Sequence, residues 1–186
     1  MTHLRTALLA TALALPLGLP LALPLAPALA ATPADVLVVA QNIDDIVAID
    51  PAQAYEFSSG QYVTQTYDRL VQYEADDTLK LVGALASEWK ADDAAKTITF
   101  TLRPGAKFHS GNPVRPEDVI YSFKRVLGLN KAPAFILAQL GWTKDNIDGM
   151  VTAAGDKVVV KYEGAFSPAF VLNVLAARPA SIVDAE

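Results

Sequence analysis

Cysteine is absent from the 186-residue sequence. Its absence excludes a disulfide frame, a thiolate metal site, a thiol nucleophile and a lipid-anchored cysteine. Histidine is nearly absent too: His3 and His109 are the only two, too few for a site built from several imidazole ligands. Positive charge is in the minority, with 15 Lys and Arg against 20 Asp and Glu and a net charge of −5. A protein that binds nucleic acid by neutralising phosphates needs the opposite balance, so no nucleic-acid partner is expected. A glycine-rich phosphate loop is missing as well, since Gly155 and Gly164 stand alone.

Apolar residues are in excess at 52% of the chain, and they are unevenly spread. Of the first 30 residues, 20 are apolar, and Arg5 is the only charged side chain among them with histidine taken as neutral. Met1 to Arg5 forms a short positive lead, and Thr6 to Ala30 an apolar stretch ending in Ala28-Leu29-Ala30. Small residues at the first and third of those positions fit a signal peptidase, so residues 1–30 are expected to be a signal peptide cleaved before Ala31. The length would also permit a membrane span. Against a span stand Pro16, Pro20, Pro24 and Pro27, which repeatedly remove helix donors. The mature chain is therefore expected to be exported. Its 156 residues carry 14 basic and 20 acidic side chains, and they suffice for one modest core.

Beyond Ala31 the pattern predicts mixed α/β structure. Val36 to Ala40 is an unbroken apolar run suited to a strand buried on both faces, although no similar strand lies nearby. Asn42 to Ala54 reads as loop. A helix from Ser58 would place Val63, Tyr67, Leu70 and Val71 on one stripe. Val71 to Tyr73 and Leu79 to Val82 flank a polar turn as a strand pair. Thr97 to Leu102 alternates Thr with Ile98, Phe100 and Leu102, giving a strand with one apolar face. Pro116, Glu117 and Asp118 open a helix whose buried stripe is Val119, Phe123, Val126 and Leu127. Ala134 to Leu140 is a second short helix capped at Gly141. Met150 to Ala153 and Val158 to Tyr162 form a further strand pair, and Ser167-Pro168 starts a last helix.

Catalytic chemistry finds little support in these residues. His109 lies in Lys107-Phe108-His109-Ser110-Gly111 and reads as a loop histidine bonded to local backbone, not as a general base. The pairs Asp44/Asp45, Asp76/Asp77 and Asp92/Asp93 lie in polar turns, where solvated acids are the default. Trp89 and Trp142 read as core or rim residues. Tyr55-Glu56-Phe57-Ser58 stands out, with two aromatics and a carboxylate between the buried run and the first helix. Open α/β sheets commonly place ligand-contacting loops there. Ordinary loop packing is the alternative.

Three segments carry a more specific signal. Ala84-Leu85-Ala86-Ser87-Glu88-Trp89, Thr97 through Gly111 and Glu117 through Arg125 resemble, in order and spacing, the signature of family 5 extracellular solute-binding proteins. Asp50-Pro51 and Tyr67-Asp68-Arg69-Leu70 also resemble that family's pattern. Ser110, Asn112 and Arg115 depart from it, replacing the more usual Asp, Thr and a capping Ser or Thr. The resemblance implies a two-lobed periplasmic binding protein of type II-like fold, of which only part of lobe one and its extra subdomain are present. Residues 31–70 would begin lobe one, and residues 71–186 would form the extra subdomain carrying the signature. It further implies a non-catalytic receptor in the periplasm. Such a receptor captures a peptide or similar small solute and hands it to an ABC permease complex in the inner membrane. Tyr55, Glu56, Phe57 and Ser58 become the ligand-binding candidates, with no catalytic residue, metal or cofactor expected. The rival reading is an exported hydrolase or cell-envelope structural domain sharing the core.

The leader reading has a direct check. N-terminal sequencing of the exported protein should begin Ala-Thr-Pro-Ala-Asp; retention of residues 1–30 on a membrane-bound product would overturn it.

Overall fold

A computed structural model describes residues 32–186; the expected leader and its cleavage site lie outside them. The chain divides into two units, the first ending at Ala40 and the second spanning Gln41–Glu186.

Among the described residues of the first unit, Val36 to Ala40 forms no strand. Val36, Leu37, Val38 and Val39 are all exposed, Leu37 at 87%. The expected buried strand is thus corrected. A strand exists only by exchanging hydrogen bonds with a neighbour, and none of the described residues pairs with this run.

The second unit is built around the strand that alternation made plainest. Its helices and strands are α1 (Phe57–Thr66), β1 (Val71–Tyr73), β2 (Leu81–Gly83), β3 (Ala86–Asp92), β4 (Thr97–Leu102) and α2 (Pro116–Leu129). There follow α3 (Ala134–Ala138), α4 (Ile147–Met150), β5 (Val151–Ala154), β6 (Lys157–Lys161), α5 (Pro168–Leu175) and a 3-10 turn at Arg178–Ala180. β3, β4, β6 and β5 lie side by side, in that order, in one antiparallel sheet; β1 and β2 form a separate pair. In β4, Ile98, Phe100 and Leu102 are buried while the three threonines are half-buried. Val158 and Val160 of β6 join them, and α2 lays Val119, Phe123, Val126 and Leu127 onto the same core. Phe123 stacks on Trp142 at 5.5 Å, and the Trp142 indole N–H donates to the Lys161 carbonyl at 2.7 Å.

Three sequence expectations shift. α1 stops at Thr66 because Tyr67 turns extended. Leu70 and Val71 are buried, but not on a helical stripe. The Leu70 carbonyl accepts from the Ala84 and Ala86 N–H groups, and the Arg69 carbonyl from Leu85. Sheet-like pairing has overridden the 3.6-residue period. β3 was not expected, because its mostly polar face gives no alternation; its backbone pairing with β4 defines it. α3 ends at Ala138, and the chain turns at Gly141, whose φ of +82° suits glycine. A Cβ there would lie 2.8 Å from Glu163 Cβ.

Phe100→Ala should destabilise the fold by about 3–5 kcal/mol, since the fully buried ring would leave a cavity. Thr99→Ala, at a half-buried position facing the other side, should cost under about 1 kcal/mol. Equal losses in denaturant melts would show that the register is wrong.

Candidate functional site

Asp50 shapes the approach to the candidate loop. Its carboxylate accepts from the Ala52 N–H at 3.0 Å and the Gln53 side-chain amide at 2.9 Å. Arg125 of α2 closes on it with both terminal nitrogens, at 2.7 and 2.5 Å. This planar fork is the strongest form of the pair, and each partner retains only about a quarter of its side-chain exposure. The Arg125 guanidinium holds the Asp50 carboxyl far below the usual carboxylate range, outweighing the opposing effect of burial.

From there Ala52 and Ala54 turn inward and Tyr55 turns outward, about half exposed. The Tyr55 ring meets Phe135 of α3 edge-on, at 5.8 Å and 75°. Glu56 occupies the N-cap position of α1 without a side-chain capping bond and accepts the Tyr55 N–H at 3.2 Å. Phe57 begins the helix at 89% exposure. Ser58 donates its N–H to Asp45 at 3.0 Å and its hydroxyl to the Asn42 carbonyl at 3.4 Å. Asp45 is held below its ordinary pKa by its hydrogen bonding with Ser58; Glu56 is lowered by its own N–H and that of Tyr55. The four candidate residues therefore share one exposed turn with two ionised carboxylates at the α1 N-terminus. Phe135, Asp45 and Asn42 belong beside them and escaped sequence reasoning. Phe135 could have been found as the exposed aromatic out of phase with buried Ala134 and Leu137.

His109 stands apart on an exposed turn, and among the described residues no hydrogen bond joins its ring to the local backbone. That corrects the expectation of a backbone-bonded ring. Neighbouring Ser110 donates to Asp184 at 2.5 Å, not to the imidazole. Trp142 is buried in the core, and Trp89 packs half-buried against it. Among the described residues no group of three or more His, Asp or Glu side chains could hold a metal ion.

The signature residues grip the last described segment. Asp118 accepts the Arg115 N–H at 2.7 Å and the Ala185 N–H at 3.3 Å. The Ser122 hydroxyl donates to the Asp118 carbonyl at 2.6 Å and accepts the Val183 N–H at 2.9 Å. Asn112 joins Ser110 on Asp184, at 3.0 Å. Arg115 lacks the acceptor of a usual cap, so only the Asp118 half of a capping box is made.

With this geometry in place, comparison with known proteins identifies the class. Residues 80–186, more than half of the chain, match the family described as bacterial extracellular solute-binding proteins, family 5 Middle. The chain belongs to that family. It is 41% identical over 110 residues to the probable D,D-dipeptide-binding periplasmic protein DdpA of Escherichia coli (strain K12), covering 58% of this chain and 21% of that protein. The Escherichia coli murein tripeptide binding protein MppA superposes with a TM-score of 0.62 and 28% identity, over 74% of this chain and 28% of that one. Haemophilus influenzae OppA, solved in complex with the peptide RPPGFSPFR, superposes with a TM-score of 0.64 and 26% identity over the same shares. The fold is thus mixed α/β and corresponds to part of the two-lobed chains it resembles, spanning about a quarter of their length.

Asp50→Asn should cost about 1–2 kcal/mol, allowing for partial solvent screening. Because the folded-state pKa is depressed, the stabilisation is complete above the unfolded value near 4 and declines as pH falls through the folded value. Acid titration of stability should therefore be flatter in the variant below about pH 4. Parallel curves would show that the pair contributes nothing.

Proposed function

We propose that the chain is the N-terminal part of a periplasmic receptor for a peptide or similar small solute, which it delivers to an ABC permease in the inner membrane. In this reading residues 31–70 begin lobe one and residues 71–186 form the extra subdomain. The observation that carries it is the turn Tyr55 to Ser58, where exposed aromatics flank a carboxylate on a rigid helix start. Tyr55 and Phe57 supply apolar contact, with Phe135 extending the wall, and Glu56 supplies charge for a ligand ammonium. Ser58, tied to Asp45 and Asn42, fixes the turn. Pre-organisation of this kind lowers the ordering cost of binding. The peptide-binding names of the relatives favour a peptide-like ligand. The receptor would work by closing two lobes on its solute, so this chain supplies one wall of the site.

Mass spectrometry of material copurifying with the longer receptor would identify the solute, and calorimetry would then measure it. Tyr55→Ala and Phe57→Ala should each weaken binding about tenfold, the loss expected when an aromatic anchor is truncated. The 186-residue chain alone should bind no tighter than millimolar, about −4 kcal/mol. Unchanged dissociation constants in both variants would refute the assignment of the loop; parent-like affinity in the chain alone would refute the shared cleft.

A further inference from the structure

Arg69 is the most costly unpaired group in the second unit. It is only 7% exposed, and its Nε is buried without a hydrogen-bond partner. Among the described residues neither Arg69 nor Arg178 takes part in an ion pair. Both line one groove of about 650 Å³, and no Asp or Glu lines it with them. Burial is the main cause lowering the Arg69 pKa; Asp68 opposes it, and nearby Arg178 adds to it by repulsion. A buried guanidinium with a second beside it is best stabilised by an anion, which accepts its donors and offsets the charge of both.

The groove indicates which anion. Gln65, Gln72 and Tyr73 supply neutral polar edges, while Ile136, Ala176 and Pro179 make its apolar part. Inorganic phosphate would leave that apolar surface uncovered, whereas an organic acid would cover it and present two coplanar oxygens to a guanidinium fork. Gly60 makes room for the second arginine. A Cβ at that position would lie 1.7 Å from Arg178 Nη1, so only a bare Cα lets the guanidinium rest there.

We propose that Arg69 and Arg178 form a binding site for an organic carboxylate. Two sources offer the same chemistry: the carboxylate of a small ligand, or an Asp or Glu side chain elsewhere in a longer receptor. The second source rests on the reading of the chain as part of such a receptor; the site itself does not.

The first test uses the 186-residue chain, following the Arg69 Nε–H resonance in nitrogen-15-arginine-labelled protein. N-acetylglycine should shift it saturably, while its neutral counterpart N-acetylglycinamide and inorganic phosphate should not. Arg69→Lys, followed on the Arg178 Nε–H resonance, should bind N-acetylglycine about tenfold more weakly, having lost the fork. Gly60→Ala puts a helix-favouring residue in α1 and should weaken binding similarly by pushing Arg178 aside, with the far-ultraviolet spectrum unchanged. No shift with N-acetylglycine, an equal shift with the amide or phosphate, or parent-like binding by Gly60→Ala would each overturn the site. The second test repeats the titration on the longer protein. A retained response assigns the site to an external acid. An Nε–H already at the bound position, released only on acidification, assigns it to a carboxylate of the protein. A resonance that is neither responsive nor already shifted refutes the proposal for the intact receptor.

Discussion

One ion pair connects the two parts of the second unit that matter to each other. Asp50 belongs to the irregular stretch before α1, and Arg125 belongs to the helix that covers the sheet. Without the fork between them, the loop from Gln41 to Glu56 would rest mainly on the buried alanines Ala52 and Ala54. Those small side chains bury little area and so contribute little. The fork also joins the Asp-Pro dipeptide to the arginine closing the third signature segment across 75 residues. What looks in the sequence like two separate motifs is a single contact.

Legibility in the sequence followed the source of each element's stability. β4 was readable to the residue, and α2 in its start and buried stripe, because their apolar faces repeat at the period of the backbone. β3 was unreadable because its stability comes from hydrogen bonds to β4, and backbone pairing leaves no mark on a mostly polar face. Leu70 and Val71 gave the right burial with the wrong cause, since one spacing fits both a helical stripe and a strand lead-in. The Val36 to Ala40 run marked a need for pairing without saying where the partner was. At the candidate site, composition pointed to Tyr55 through Ser58. Phe135 and Asp45 lie 80 and 13 residues from Tyr55 and Ser58, and only the folded chain brings them together.

The site also separates two uses of charge. Asp50 is fully engaged with Arg125 and is structural. Asp45 and Glu56 accept from backbone N–H groups at the start of α1, and among the described residues neither takes part in an ion pair. The first arrangement fixes position; the second leaves a negative field at the start of α1.

The grip of Ser110, Asn112, Asp118 and Ser122 on Val183 to Glu186 bears on how the chain reaches its native state. Those contacts span 61 to 74 residues, among the most distant in the second unit. Closing so long a loop costs entropy before any contact repays it. A chain delivered from its N-terminus cannot make these polar contacts to α2 and the turn before it until residues 183–185 have arrived. Until then, α2 meets the sheet through its apolar stripe, with those polar groups in water. Completion of this unit is therefore timed by residues 183–185, which lie far along the chain from the groups they bond.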